Sequence, residues 1–159
     1  MCRTTLVLHG GLFRKPAPKG PRSRKRRRVA LTAATSELHG TAELGSLDDL
    51  RLARKGGLDP DGMGAAAVAT DVLWSDPAPS GGLVLNDSRG VGLIFGPEVT
   101  ETFLQRNGVR LVVRSHEGPD ARANRDDGMK GMEGGYAVDH EVASGKLVTG
   151  EMRDETGHG

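Results

Sequence analysis

Val109-Arg110-Leu111-Val112-Val113-Arg114-Ser115-His116 is the stretch on which the reading of this chain turns. Val109, Leu111, Val112 and Val113 form a short apolar, β-prone run between Asn107-Gly108 and a polar segment, the pattern of a buried strand. The run ends in a histidine. Leu6-Val7-Leu8-His9-Gly10-Gly11 repeats the same grammar near the start of the chain. In open α/β sheets, sites form beyond the carboxyl ends of strands, so two imidazoles delivered this way could meet at one metal ion. Two ligands are fewer than a metal site takes, and a strand-end histidine is also a common hydrogen-bonded structural residue. Spacing alone leaves both readings open.

Other elements follow outward from these strands. Pro97 to Asn107 reads as a helix, with Pro97 in its first turn, Asn107-Gly108 as its C-cap, and Val99, Phe103 and Leu104 on one face. Ser46 to Lys55 reads as a second helix. Ser46 is its N-cap, Asp49 completes a capping box, Asp48 and Asp49 suit the positive end of the dipole, and Arg54 and Lys55 suit the negative end. Gly56-Gly57 would stop it. Arg89 to Gly96 reads as a short glycine-rich strand, and Tyr136–Val142 with Lys146–Thr149 as a hairpin turning at Ala143-Ser144-Gly145. Asp71 to Pro77 is an apolar stretch closing in a polar turn around the only tryptophan, Trp74. Residues 56–70 carry no clear pattern, and 117–135 read as a polar loop.

Composition bounds the rest. At 159 residues the chain is about one domain long, and its formal net charge is only +1. Its single cysteine, Cys2, cannot form an internal disulfide, no apolar run approaches the ~18–20 residues of a membrane helix, and the first residues lack signal-peptide features. Glycine is high at 24 residues and aromatics number five, which predicts many loops and a thin core. The near-neutral total conceals a split. Arg14 to Arg28 holds nine basic residues and no acid, while the other 13 basic and 21 acidic residues leave the remainder at −8. Self-repulsion, with Pro16, Pro18, Gly20 and Pro21, predicts an exposed, disordered basic insertion over about 14–45. Arg22, Arg24, Lys25, Arg26, Arg27 and Arg28 have the composition of a nuclear-import signal, consistent with a nuclear or cytoplasmic location. A solvated loop or a calmodulin target are the other readings. With no aromatic interleaved, a nucleic-acid stacking surface is disfavoured. The last residues, 150–159, read as a disordered tail.

Arg89, in the turn after Asn86-Asp87-Ser88, can fork onto a phosphate or carboxylate, or be an ordinary surface arginine. Asp76 suits an Asx turn before Pro77, and gains a site role if that turn faces His9 and His116. Asp120, Asp126, Asp127 and Glu133 lack EF-hand spacing and read as solvated charge. Asp139 and His140 are adjacent on a strand and so point to opposite faces, which makes His140 structural.

In order along the chain, these segments resemble the second half of the phosphoprotein phosphatase catalytic domain, a calcineurin-like metallophosphoesterase. The segments are Leu6-Val7-Leu8-His9-Gly10-Gly11-Leu12, Val72-Leu73-Trp74-Ser75-Asp76-Pro77, Arg89-Gly90-Val91-Gly92-Leu93-Ile94-Phe95-Gly96, Leu111-Val112-Val113-Arg114-Ser115-His116-Glu117 and Lys146-Leu147-Val148-Thr149. The basic run after His9-Gly10-Gly11 and the stretch Ser115 to Arg122 look most like the plant-type protein phosphatase 7 branch. The resemblance implies an α/β (α+β) fold: part of a two-sheet β-sandwich flanked by helices, over residues 1–149 with the basic insertion inside it. It implies a serine/threonine phosphatase acting on a phosphoprotein substrate through two divalent metal ions of the Mn, Fe or Zn type, which would share an activated water. His9 and His116 would ligate one metal, Arg89 would bind the substrate phosphate, and Asp76 would line the pocket. The family's GDxHG, GDxxDRG and GNHE motifs occur nowhere in this sequence, nor does its SAPNY segment after Thr149. The expectation is therefore an incomplete metal site and an inactive chain. The alternative is a non-catalytic interaction protein working through its basic segment on an import receptor, an acidic partner or calmodulin.

Overall fold

The computed structural model describes residues 5–16, 42–54, 65–129 and 131–151. It is mixed α/β with two sheets. The elements in order are β1 (Thr5–Val7), α1 (Leu47–Arg51), α2 (Ala65–Trp74), β2 (Asp76–Pro77), β3 (Val84–Leu85), β4 (Leu93–Phe95), α3 (Pro97–Asn107), β5 (Leu111–Arg114), α4 (Pro119–Ala123), β6 (Tyr136–Val142) and β7 (Gly145–Gly150).

The two strands that carry histidines at their ends are neighbours. The larger sheet has the order β1-β5-β7-β6, with β1 and β5 parallel and Val7 opposite Val113. Both chains therefore leave the sheet at the same end. Leu8 N–H donates to Val113 O at 2.9 Å and Ser115 N–H donates to His9 O at 3.0 Å, which extends the ladder to the first histidine. The smaller sheet, β2-β4-β3, brings Asp76 opposite Ile94. Side chains from both sheets and from α2 and α3 share one core that includes Leu12, Phe13, Val68, Phe95, Phe103, Val112 and Leu147. With so few aromatics, the edge-to-face pair Phe13–Phe103, 5.8 Å between centroids, is a large share of its ring packing.

Helix α3 forms where the sequence predicts, and Gly108 adopts the left-handed C-cap at φ 62°. Helix α1 has the reciprocal Ser46/Asp49 capping box but ends at Arg51, so Arg54 lies beyond its last turn; Gly56 and Gly57 fall outside the described residues. Two helices depart from expectation. Residues 65–74 form α2, since the run Ala65-Ala66-Ala67-Val68-Ala69 has high helix propensity although it lacks a polar face to mark its period. Pro119 to Ala123 forms one short helix within the segment read as loop.

Arg14 also departs from expectation. It is part of the fold. Its guanidinium donates twice to the buried Asp71 carboxylate, 2.8 Å from Nε and 2.8 Å from Nη2, and its own backbone N–H donates to the same group at 3.0 Å. An antiparallel bridge joins Arg14 to Leu44, with Lys15 N–H on Glu43 O and Gly45 N–H on Phe13 O. The two flanks of the basic segment are thus clamped side by side, and residues 14–15 and 42–45 belong to the domain. Arg22, Arg24, Lys25, Arg26, Arg27 and Arg28 lie outside the described residues, as does most of the 150–159 tail. No helix among the described residues is long and apolar enough to cross a membrane.

Candidate phosphate and metal site

The chain reverses sharply after β5. Glu117 N–H donates to Ser115 O at 2.9 Å, and the residue between them, His116, has φ 71°. A three-residue turn closed by such a hydrogen bond, with positive φ at its centre, is the strained γ form, costing on the order of 1–3 kcal/mol for a non-glycine residue. It swings the His116 ring back over the strand ends. There His116 Nδ1 lies 3.2 Å from His9 Nε2, and His9 Nδ1 lies 3.2 Å from Ser115 Oγ. The other His116 nitrogen, Nε2, is buried without a hydrogen-bond partner and faces Asp76 Oδ1 at 3.8 Å. Burial pushes the His116 imidazole below its ordinary range; the Asp76 charge opposes this, and Arg114, Arg89 and His9 reinforce it.

On the opposite side, the turn at 86–90 carries Arg89. Asn86 organises it: its side-chain oxygen accepts from Ser88 Oγ at 2.8 Å and from Arg89 N–H at 3.2 Å, and its amide donates to Asp76 Oδ2 at 3.2 Å. The Arg89 guanidinium reaches Asp76 Oδ2 from Nε at 3.2 Å and Nη2 at 3.0 Å. One edge of the fork is thus fixed by Asp76, and the side chain keeps 39% of its exposure for a ligand. Trp74 lies between the two sides, edge-to-face with His116 at 5.5 Å and under the Arg89 guanidinium at 5.9 Å. The backbone closeness this requires comes from glycine. Gly92, at φ 76°, packs so tightly on the Trp74 carbonyl that a Cβ there would meet it at 2.5 Å.

The structure therefore brings all four predicted residues, His9, His116, Asp76 and Arg89, to one end of the sheets. Asp76, Arg89 and His116 line one cavity of about 680 Å³, and His9 borders the adjoining groove with Ser115. His140 does not join them. Its Nε2 is 2.8 Å from Ala78 O and its Nδ1 2.7 Å from Thr100 Oγ1, which is the structural role its strand position predicts.

What the sequence reading missed is the buried charge beneath the site. Arg114 is fully buried and works in four directions: Nε to Gly10 O, Nη1 to Glu117 Oε2 at 2.6 Å and Thr149 Oγ1 at 2.9 Å, and Nη2 to Asp76 Oδ1 at 3.2 Å. It ties the His9 turn to the Asp76 carboxylate. Glu117 in turn accepts from Arg122 and Arg125. Burial alone would raise the Glu117 carboxyl, but the Arg114 and Arg125 hydrogen bonds outweigh it and hold it below the ordinary range. Asp127, expected as solvated charge, is held by Arg125, whose hydrogen bond keeps its carboxyl low. An arginine two residues before a strand-end histidine was the available signal for this network, since a charged residue inside an apolar strand must be paired to be buried.

Whether these residues suit a divalent cation can be judged from the donors. Bonds of 2.0–2.1 Å in tetrahedral array put neighbouring ligands about 3.3 Å apart, close to the 3.2 Å between His9 Nε2 and His116 Nδ1. Each ring also has an outer oxygen near its second nitrogen, as metal-bound imidazoles require. The pair fits as two ligands of one ion. Among the described residues, no group of three or more histidine, cysteine, aspartate or glutamate side chains could hold a metal.

No protein-family model matches the chain. Serine/threonine-protein phosphatase 7 from Arabidopsis thaliana is 49% identical over 143 residues, covering 89% of this chain and 34% of that protein. The serine/threonine-protein phosphatase 7 long form homolog from the same plant is 41% identical over 143 residues, covering 84% of this chain and 11% of that protein. Among solved structures, a protein serine/threonine phosphatase from Saccharomyces cerevisiae with similarity to human phosphatase PP5 aligns with a TM-score of 0.49 and 26% identity, over 93% of this chain and 31% of that one. The chain spans about a third of the length of the first of these relatives. Its homologues are serine/threonine-protein phosphatases.

Proposed function

We propose that this chain, a homologue of serine/threonine-protein phosphatases that spans a third or less of their length, supplies the phosphate-binding half of a phosphomonoester-hydrolysing centre. The convergence of His9, His116, Asp76 and Arg89 on one end of the two sheets carries this reading. Arg89 receives the phosphate of a phosphoserine or phosphothreonine on its free edge, matching charge on the equatorial oxygens. Asp76 orients that guanidinium from behind. It also faces the His116 Nε2 proton position and so favours the tautomer that leaves Nδ1 free as a ligand. His9 and His116 would hold one divalent cation, and a bound metal centre would polarise the phosphoryl group and lower the pKa of an attacking water.

The described residues provide two ligands of one ion and neither a bridging carboxylate nor a general acid, so we propose that the chain is inactive by itself. Purified chain with added Mn²⁺ should not hydrolyse p-nitrophenyl phosphate. It should bind inorganic phosphate in calorimetry, with Arg89→Ala weakening binding at least tenfold while unfolding stability changes little, the Arg89–Asp76 pair being partly exposed. Hydrolysis that disappears in His116→Ala would overturn the inactivity, and phosphate binding indifferent to Arg89 would overturn the site. The Arg22 to Arg28 run supports nuclear import as a separate property of the chain, which fails if a fluorescent fusion distributes identically without residues 22–28.

A further inference from the structure

The cavity that holds Arg89 has a second wall of opposite charge. It is lined by the carboxylates of Asp76, Glu117, Asp126 and Asp127 and by only two guanidiniums, Arg89 and Arg125. Three of the carboxylates are committed: Asp76 to Arg89 and Arg114, Glu117 to three arginines, and Asp127 to Arg125. Asp126 is not. It is exposed and carries no ion pair among the described residues. Both its neighbours are anchored. Arg125 donates to Pro77 O at 2.8 Å and Glu117 Oε1 at 2.8 Å, and Asp127 accepts from Met129 N–H at 3.2 Å as well as from Arg125. The segment is thereby fastened to β2, next to Asp76, and Asp126 is presented from a fixed backbone. A second observation at the same cavity is His116, which lines it, whose side chain is only 9% exposed, and whose buried Nε2 has no hydrogen-bond partner.

We infer that Asp126 is a specificity-determining residue, selecting phosphorylated sites that carry a basic residue close to the phosphoserine or phosphothreonine. This rests on the phosphate-binding role of Arg89. With Asp76, Glu117 and Asp127 each offset by arginines, Asp126 is the lining carboxylate left without a cation beside Arg89. A substrate with its own cation balances both walls, with phosphate on Arg89 and guanidinium or ammonium on Asp126. A metal ion would not serve at Asp126, because no group of three ligand side chains exists among the described residues and a single carboxylate is too few. An exposed charge contact of this kind is worth a few-fold in affinity and weakens with salt.

The test uses the purified 159-residue chain and fluorescein-labelled phosphoserine peptides, with arginine two residues before the phosphoserine, arginine two residues after it, or alanine at both positions, plus unphosphorylated controls. In fluorescence polarisation at low salt, at least one arginine phosphopeptide should bind about three- to fivefold tighter than the alanine phosphopeptide. Asp126→Asn should bring the two within twofold. Circular dichroism of the variant, changed only at an exposed side chain, confirms its fold. If phosphorylation matters but arginine does not, or if Asp126→Asn keeps the preference, the inference falls while the phosphate site stands. If phosphorylation itself makes no difference, the reading of Arg89 falls with it.

Discussion

Arg114 and Arg89 both hold the Asp76 carboxylate, yet substitution should affect them in opposite ways. Arg114 is fully buried and contacts Gly10, Asp76, Glu117 and Thr149. Arg114→Met would leave Asp76 and Glu117 with less compensation in a dry environment, a change that typically costs about 3–5 kcal/mol. Urea unfolding of the variant should show a midpoint collapsed toward zero, whereas Arg89→Ala should unfold close to the parent. His140 gives the stability of the fold a pH dependence. Burial holds its imidazole below the ordinary range, against the Ala78 carbonyl bond that favours the charged form. The unfolded chain takes up that proton near pH 6.5, the folded chain only at lower pH. Stability should therefore be level above about pH 7 and fall as pH drops from about 6.5 toward the folded value, flattening below it. His116 shifts in the same direction, so His140→Gln should reduce the slope measured by urea titration between pH 7 and 5 without abolishing it.

At the scale of elements, the parallel pairing of β1 and β5 is what brings two sequence-distant histidines together; the strands themselves were legible as apolar, β-prone runs that end in the same residue type, whereas their pairing was not, because nothing in their spacing encodes it. The helix α3 was legible from its caps and its one-sided apolar face. The helix α2 was not, because an alanine run buries on several sides and leaves no period to read. Nor could the γ-turn at His116 be seen, since nothing in Ser115-His116-Glu117 encodes a positive φ; in the fold it goes with the Glu117 carboxylate reaching the buried Arg114. Gly92 marks where two elements must touch. A methyl group there would strike the Trp74 carbonyl at 2.5 Å, on a backbone already at φ 76°, so Gly92→Ala should destabilise by more than the ~1 kcal/mol that an unstrained replacement gains. It should also shift the Trp74 emission maximum, which a purely local loss at β4 would leave in place.

For the whole molecule, the division of charge seen in the sequence has a structural counterpart that sharpens it. The −8 remainder is not a uniformly solvated acidic surface, because Asp71, Asp76, Glu117 and Asp139 are drawn into arginine pairs inside the domain. Arg14, counted with the basic run, is one of those arginines. Kinship with serine/threonine-protein phosphatases was legible from the order of motifs, but the buried network beneath the four residues was not, since pairing partners as far apart as Asp76 and Arg114 are fixed by topology and not by spacing. The account as a whole stands on Arg89 presenting a phosphate-binding edge beside Trp74, the only tryptophan of the chain. Titration of the purified chain with inorganic phosphate, followed by Trp74 fluorescence, tests this directly. The account predicts a saturable change that is lost in Arg89→Ala and retained in His140→Gln; an equal response in Arg89→Ala, or none in the parent chain, would contradict it.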